Sequence, residues 1–149
     1  MKLRYAVSIA TMLAGITLVS AGSPAAFGQD ALPAGFKTQP LLKTGQTRDN
    51  EPIVYPKSGK AEIISVIGTI EPGGRTPLHE HPVPVLVYIL EGELELQTEG
   101  GQPHKYKAGE AYIESLNRKH QAFNRGSAVT KILVVFVGEE GKPTTIAAK

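Results

Sequence analysis

The chain has 149 residues, with 16 Lys and Arg against 14 Asp and Glu, four His and no Cys. The missing cysteines exclude thiolate metal ligands, cysteine nucleophiles and dithiol redox chemistry. The nearly balanced charge provides no basic excess that would attract nucleic acid or an anionic membrane surface, so we expect neither as a partner.

Residues 1–28 have the three-part pattern of a secretory signal peptide. Lys2 and Arg4 precede an apolar run over 5–19, and small residues crowd 20–28. This run is shorter than the roughly 20 residues that span a bilayer, so we predict cleavage between Ala21 and Gly28; an uncleaved N-terminal anchor is the alternative. The mature chain of about 120 residues is then secreted or periplasmic and, without Lys2 and Arg4, has no net formal charge.

The mature chain is predicted to be all-β. Residues 29–60 are rich in Pro, Gly, Thr and Asn and read as an extended arm, with one short strand around 53–55. Residues 61–140 contain short apolar segments between glycine-containing turns, which predicts strands over 62–70, 83–90, 93–98, 104–107, 111–114, 120–124 and 130–137. Evenly spaced short strands are typical of an antiparallel sandwich or barrel, and 141–149 forms a C-terminal tail.

Two of these strands predict a further contact. Residues 93–97 alternate between polar and apolar, whereas 85–90 and 132–137 are apolar at every position. A strand without a polar face is covered on both sides. The interior of the domain covers one side, and the arm or a second subunit covers the other, so we expect a homodimer. A second sheet of the same chain is an equally good alternative.

His79 and His81 are the most informative residues, because side chains one residue apart share a face of an extended segment. Imidazole is the commonest protein metal ligand, and His120 lies in another predicted strand. The three histidines are therefore our candidate ligands for a divalent metal ion. An empty binding pocket is the competing interpretation. The fourth histidine, His104, is expected at the surface.

The spacing around these histidines resembles that of the cupin superfamily. The family's two motifs are Gly-x5-His-x-His-x3,4-Glu-x6-Gly and Gly-x5-Pro-x-Gly-x2-His-x3-Asn. They are matched at Gly73, His79, His81, Gly92, Gly109, His120 and Asn124. The resemblance implies the cupin jelly roll, an antiparallel β-barrel or double-stranded β-helix, over 61–140.

The chain departs from the cupin motifs at three positions. Ser115 replaces Pro, and Asn117 replaces Gly, a mild change because Asn tolerates the left-handed conformation. Val85 stands where the family has its metal-binding Glu. The ligand set is thus predicted to be at most three histidines. Glu114 precedes the second-motif turn, but we expect it to be a solvated strand end rather than a substitute ligand.

Together with the predicted signal peptide, the resemblance implies an exported metal-binding protein that acts on or binds a small molecule. The reaction is open, with an oxygenase or isomerase as examples, and no catalytic residue is identified. Zn, Fe, Mn, Ni and Cu are not distinguished. Val85, Val87 and Ile89 are predicted to line the pocket, because they share a face with the lost Glu position. The alternative is a non-catalytic module that binds or senses a small molecule or metal.

Overall fold

The computed structural model describes residues 38–148, which form nine strands and no helix. In this range there is consequently no helix long and apolar enough to cross a membrane. The predicted signal peptide lies outside the described residues. The strands are β1 (Ala61–Ile70), β2 (His79–Glu80), β3 (Val85–Glu91), β4 (Glu93–Thr98), β5 (His104–Lys107), β6 (Ala111–Ile113), β7 (His120–Phe123), β8 (Thr130–Glu139) and β9 (Ile146–Ala147).

The strands form two antiparallel sheets, which confirms the predicted fold class. The first sheet has the order β1-β8-β3-β6, and the second has the order β5-β4-β7-β2-β9. Each of the seven strands predicted within residues 61–140 is present, with ends that differ by at most two residues, whereas β2 and β9 were not predicted. The predicted strand at 53–55 is absent. The arm instead makes an isolated bridge between Gln46 and Pro52, because Asn50 adopts a positive φ of 64° and turns the chain.

The hydrophobic core lies between the two sheets. The inner face of the first sheet contributes Val85, Val87 and Ile89, each at most 1% exposed. The second sheet contributes Leu94 and Leu96, which alternate with more exposed polar residues along β4. Side chains that alternate along a strand place one row inward, and the two rows pack against each other.

The outer face of the first sheet is also apolar, but the second sheet does not cover it. In β1, Ile63 and Ile67 are 63% and 58% exposed. They pair with Val137 and Leu133 of β8, which point to the same outer face and are half-buried. The fully apolar strands thus have one face in the core, as predicted, and an outer face that the second sheet leaves open.

Candidate metal centre

Strand register brings the three predicted histidines together. His79 of β2 lies directly opposite His120 of β7, and antiparallel neighbours that face each other point to the same side of the sheet. His81 is two residues beyond His79 and shares that side. The ring centroids are 4.5 to 5.1 Å apart, and the candidate ligand nitrogens all lie within 4.8 Å of one another.

Each of the three rings is held by a backbone carbonyl at Nδ1. The Nδ1···O distances are 2.7, 2.7 and 2.9 Å, to the carbonyls of Pro77, Thr144 and Arg118 for His79, His81 and His120 respectively. A carbonyl only accepts, so each Nδ1 carries the hydrogen and donates it. In a neutral ring Nε2 then carries a free lone pair. This is the arrangement by which proteins orient metal-binding histidines.

Glu114 lies in the same site, and the prediction of a solvated strand end was wrong. The residue is 7% exposed. Its Oε2 lies 2.9 Å from Nε2 of His81 and 3.3 Å from Nε2 of His120. The reason is side-chain alternation: Glu114 is two residues after the buried Tyr112 of β6 and continues its inward face. The sequence signal that could have indicated this is the aromatic Tyr112 two residues earlier, since a large aromatic side chain favours the inward face.

The position of Glu114 explains how the chain can lack the family's carboxylate at position 85. In the β3–β6 ladder Leu86 pairs with Ile113, so Val85 and Glu114 face each other in the same register. The backbone N–H of Glu114 donates to the carbonyl of Val85 at 3.0 Å. In this chain a carboxylate is thus present one residue beyond β6, next to β3, where it contacts His81 and His120.

Glu114 and the neighbouring histidines change each other's pKa values. Burial alone raises the pKa of Glu114, but contacts with His120 and His81 outweigh it and lower the pKa to about 2. Burial lowers the pKa of His120, but Glu114 outweighs it and the net direction is upward. The pKa of His79 is lowered, mainly by burial. Burial and the charge of Glu114 together hold the pKa of Tyr112 well above its usual value.

The donor set fits a divalent cation. Glu114 Oε2 and His120 Nε2 are both buried, and neither has a hydrogen-bond partner of acceptable geometry. With hydrogen on every Nδ1, the Nε2 lone pairs and a carboxylate oxygen are acceptors that face one another at hydrogen-bonding distance. Acceptors in such contact need a proton or a cation between them. Three imidazoles and one carboxylate are suitable ligands for several transition-metal ions.

The histidines open onto a cavity of about 120 Å³. Of the predicted lining residues, Val87 lies on its wall, whereas Val85 and Ile89 are buried in the adjacent core. They lie about 7 Å to either side of Val87 along the strand, beyond the reach of so small a space. The remaining wall is mostly apolar, and it comprises Thr76, Tyr112, Ala122, Ile132, Val134, Phe136 and Thr145.

The N-terminal arm contributes a carboxylate that no sequence pattern placed near the site. Asp49 accepts a hydrogen bond from the hydroxyl of Ser115, beside Glu114. It also accepts one from Arg118 at 2.8 Å, and the Arg118 carbonyl holds His120. Asp49 therefore ties the arm to the loop that carries two members of the site. Ser115, which replaces the motif proline, supplies one of these bonds.

Two further predictions concern residues around the site. Asn117 has a φ of 52°, so it adopts the left-handed conformation expected at a motif glycine. His104 is exposed on β5, outside the histidine cluster, as predicted.

Sequence comparison decides the family. The profile of the Cupin domain family matches residues 66–136, which contain both motifs, the three histidines and Glu114. Residues 66–136 are a cupin domain. No match was found among the curated proteins.

Solved structures with the same fold agree with this assignment. The DMSP lyase DddQ of Ruegeria pomeroyi is 21% identical with a TM-score of 0.51, over 58% of this chain and 43% of that one. An oxalate decarboxylase of Lactobacillus farciminis is 23% identical with a TM-score of 0.50, over 57% and 26%. An uncharacterized protein of Klebsiella pneumoniae with a double-stranded β-helix domain is 22% identical with a TM-score of 0.52, over 64% and 90%. The cupin thus spans less than half the length of the two enzymes, and these similarities concern the fold alone.

Proposed function

We propose that this cupin holds one divalent metal ion through His79, His81, His120 and Glu114, and binds a small molecule in the cavity beside it. The observation that carries the proposal is the contact of the buried Glu114 carboxylate with two Nε2 atoms, at 2.9 and 3.3 Å, which one shared cation would satisfy. We name these four residues the metal centre.

The residues of the metal centre have distinct roles in this proposal. The histidines present oriented lone pairs, because their Nδ1–H groups are bound to carbonyls. Glu114 supplies the one negative charge. When bound, the ion supplies Lewis acidity toward an oxygen of the ligand and toward a bound water. The apolar wall of the cavity limits the access of other water, which strengthens electrostatic interactions inside it.

Elemental analysis tests the metal centre. Untagged protein purified without chelators is expected to contain close to one equivalent of a divalent ion, and the analysis also identifies the element. His120→Ala and Glu114→Ala are expected to lose most of it. His104→Ala is the matched control, because it removes the exposed histidine outside the cluster. Metal-free wild type, or equal metal in wild type and His120→Ala, contradicts the proposal.

Catalysis and simple binding are separated by the fate of the ligand. An enzyme such as an oxygenase or isomerase converts its ligand only when the metal is present. A binding or sensing module returns the ligand unchanged from the metal-loaded protein. Mass spectrometry of the ligand after incubation with metal-loaded and metal-free protein distinguishes the two.

We propose in addition that two copies pair through the outer face of the first sheet. The two exposed isoleucines of β1 continue an apolar surface across β8 and β3. Soluble monomers rarely expose a large continuous apolar patch, and a two-fold contact buries the same patch on both copies. Ile67→Glu is expected to yield a monomer in analytical ultracentrifugation. A wild type that sediments as a monomer at high concentration contradicts the pairing.

We propose export on the basis of the N-terminal sequence pattern alone. The intact mass of protein recovered from the periplasm or medium tests it. A mass that begins after a residue between 21 and 28 supports export, and full-length protein in the cytoplasm contradicts it.

A further inference from the structure

We propose that the ligand of the metal centre is a small monoanion with an aliphatic remainder, such as a short branched carboxylate, and that the site rejects dianions such as phosphate. This inference rests on the proposed metal centre and names the class of ligand that it takes. It is derived from the charge, the wall and the size of the cavity.

The charge of the loaded site favours a single negative group. A divalent ion with three neutral imidazoles and one carboxylate has a net charge of +1. Within residues 38–148, the cavity wall includes no Lys or Arg side chain. One anionic group on the ligand therefore brings the site to neutrality, and a second has no cation to pair with.

The nearest arginine of the arm does not supply that cation. The side chain of Arg48 is 9% exposed, and its Nη1 donates to Asp49 at 3.0 Å and to Thr98 at 2.9 Å. Its Nε donates to the hydroxyl of Tyr106 at 3.3 Å. The guanidinium is thus engaged by groups outside the cavity wall. A second charge in a space with mostly apolar walls would remain uncompensated, which is costly.

The wall opposite the histidines favours an aliphatic group. Val87 of β3 pairs with Val134 of β8, and both point inward. Ile132 and Phe136 lie two residues to either side of Val134 on the same face of β8. The metal centre thus shares the cavity with a row of apolar side chains, and the ring centroids of Phe136 and His81 are 5.4 Å apart.

The size of the cavity limits the ligand to a few atoms. Ligand pockets are usually about 300–1,000 Å³, whereas this one is about 120 Å³. An apolar cavity of about 150 Å³ holds one benzene molecule, so in proportion this site holds about five non-hydrogen atoms. Isobutyrate, with one carboxylate and a branched three-carbon group, is close to this size and has this charge.

The experiment uses the full-length protein loaded with Co²⁺, whose visible absorption reports its ligands directly. Isobutyrate, its neutral isostere isobutyramide and inorganic phosphate at pH 8 are titrated separately. Isobutyrate is expected to change the spectrum saturably and to bind at least tenfold more tightly than either of the others. Phosphate that binds as tightly as isobutyrate overturns the proposal, and so does isobutyramide.

A variant with an added positive charge gives a second test of the ligand class. It is evaluated only in protein that still binds Co²⁺ and is therefore folded. Val134→Lys adds a cation to the wall and is expected to gain phosphate binding by at least tenfold. Val134→Gln is the control, because it adds similar length without charge and should gain none. No gain in Val134→Lys that still binds Co²⁺, or an equal gain in both variants, overturns the charge argument.

Failure of this inference is distinguishable from failure of the metal centre. If wild type shows no cobalt spectrum, the metal centre itself is refuted and this inference with it. If the cobalt spectrum is present but isobutyrate leaves it unchanged, only the ligand class is refuted.

Discussion

Replacing Glu114 with Gln in the metal-free protein should remove a defined part of the pH dependence of folding. Glu114 is 7% exposed, and its carboxylate contacts two histidine rings that also lie in the interior. A glutamine at this position would keep the shape of the side chain but could not ionise. The comparison therefore isolates the charge of one residue.

The magnitude follows from the pKa of Glu114, which is about 2 against 4.5 for an unperturbed glutamate. Each pKa unit corresponds to about 1.4 kcal/mol, so the ionised carboxylate stabilises the folded chain by about 3 kcal/mol at neutral pH. Because the pKa is lowered on folding, this stabilisation is complete above pH 4.5 and is lost as the pH falls toward 2. About 2 kcal/mol should be lost by about pH 3.

The same contact also changes the pKa of His120, and its effect on stability appears at higher pH. Burial lowers its pKa, but the contact with Glu114 outweighs burial, and the pKa is raised in the folded chain. The stabilisation is therefore complete below its ordinary pKa of 6.5 and is lost as the pH rises through the raised value. The two effects describe one ion pair, so their free energies are not added.

Urea unfolding of wild type and Glu114→Gln in excess EDTA, between about pH 3 and pH 8, measures this contribution. Other carboxylates titrate equally in both proteins, but His120 does not above about pH 5, because Glu114 raises its pKa. The comparison is therefore made between about pH 5 and about pH 3, where the free energy of unfolding of wild type should fall by about 2 kcal/mol through Glu114, a fall that the variant lacks. Glu140→Gln, which removes an exposed carboxylate, should follow wild type. Parallel curves for wild type and Glu114→Gln would refute the reasoning.

Three other substitutions test the supports of the site and fold. Asp49→Asn weakens the bond to Arg118 and should lower Co²⁺ affinity about tenfold in a chelator competition, whereas Glu51→Gln, 4.0 Å from Arg118, should not. Gly92→Ala places a Cβ 2.6 Å from a backbone oxygen at a φ of 75°, and should destabilise the fold by about 1–3 kcal/mol in urea unfolding; an unchanged midpoint contradicts this. Asn124→Ala removes three side-chain hydrogen bonds, at 2.8, 2.8 and 2.9 Å, and should cost about 2 kcal/mol by the same measurement; a loss below about 0.5 kcal/mol contradicts it.

Much of the strand pattern could be predicted because it depends on local alternation. The polar–apolar alternation of β4 placed Leu94 and Leu96 inside, and glycine turns such as Gly92 separated the strands. The strand predicted at 53–55 was wrong because apolar residues alone do not make a strand. A strand also needs a partner, and this arm segment pairs only at a single bridge, between Gln46 and Pro52.

The convergence of the histidines was partly visible in the sequence. His79 and His81 share one face of an extended segment because they are two residues apart. The cupin motif identified His120 as the third ligand candidate. The sequence did not show which face of the sheet the Glu114 side chain occupies, because a shift of one residue in strand register moves a side chain to the other face. The same count that identified Val85 as the missing carboxylate could not show that Glu114 lies across from it.

The sequence by itself determined the all-β class, seven of the nine strands in residues 38–148, the cupin motif and the three histidines, because these depend on periodicity and short spacings. The tertiary structure alone decided that Glu114 completes the site and that Asp49 holds the loop between Ser115 and Arg118. These contacts join different strands and, for Asp49 and Ser115, residues 66 positions apart. Such contacts are set by the pairing and packing of the sheets, which local sequence patterns do not specify.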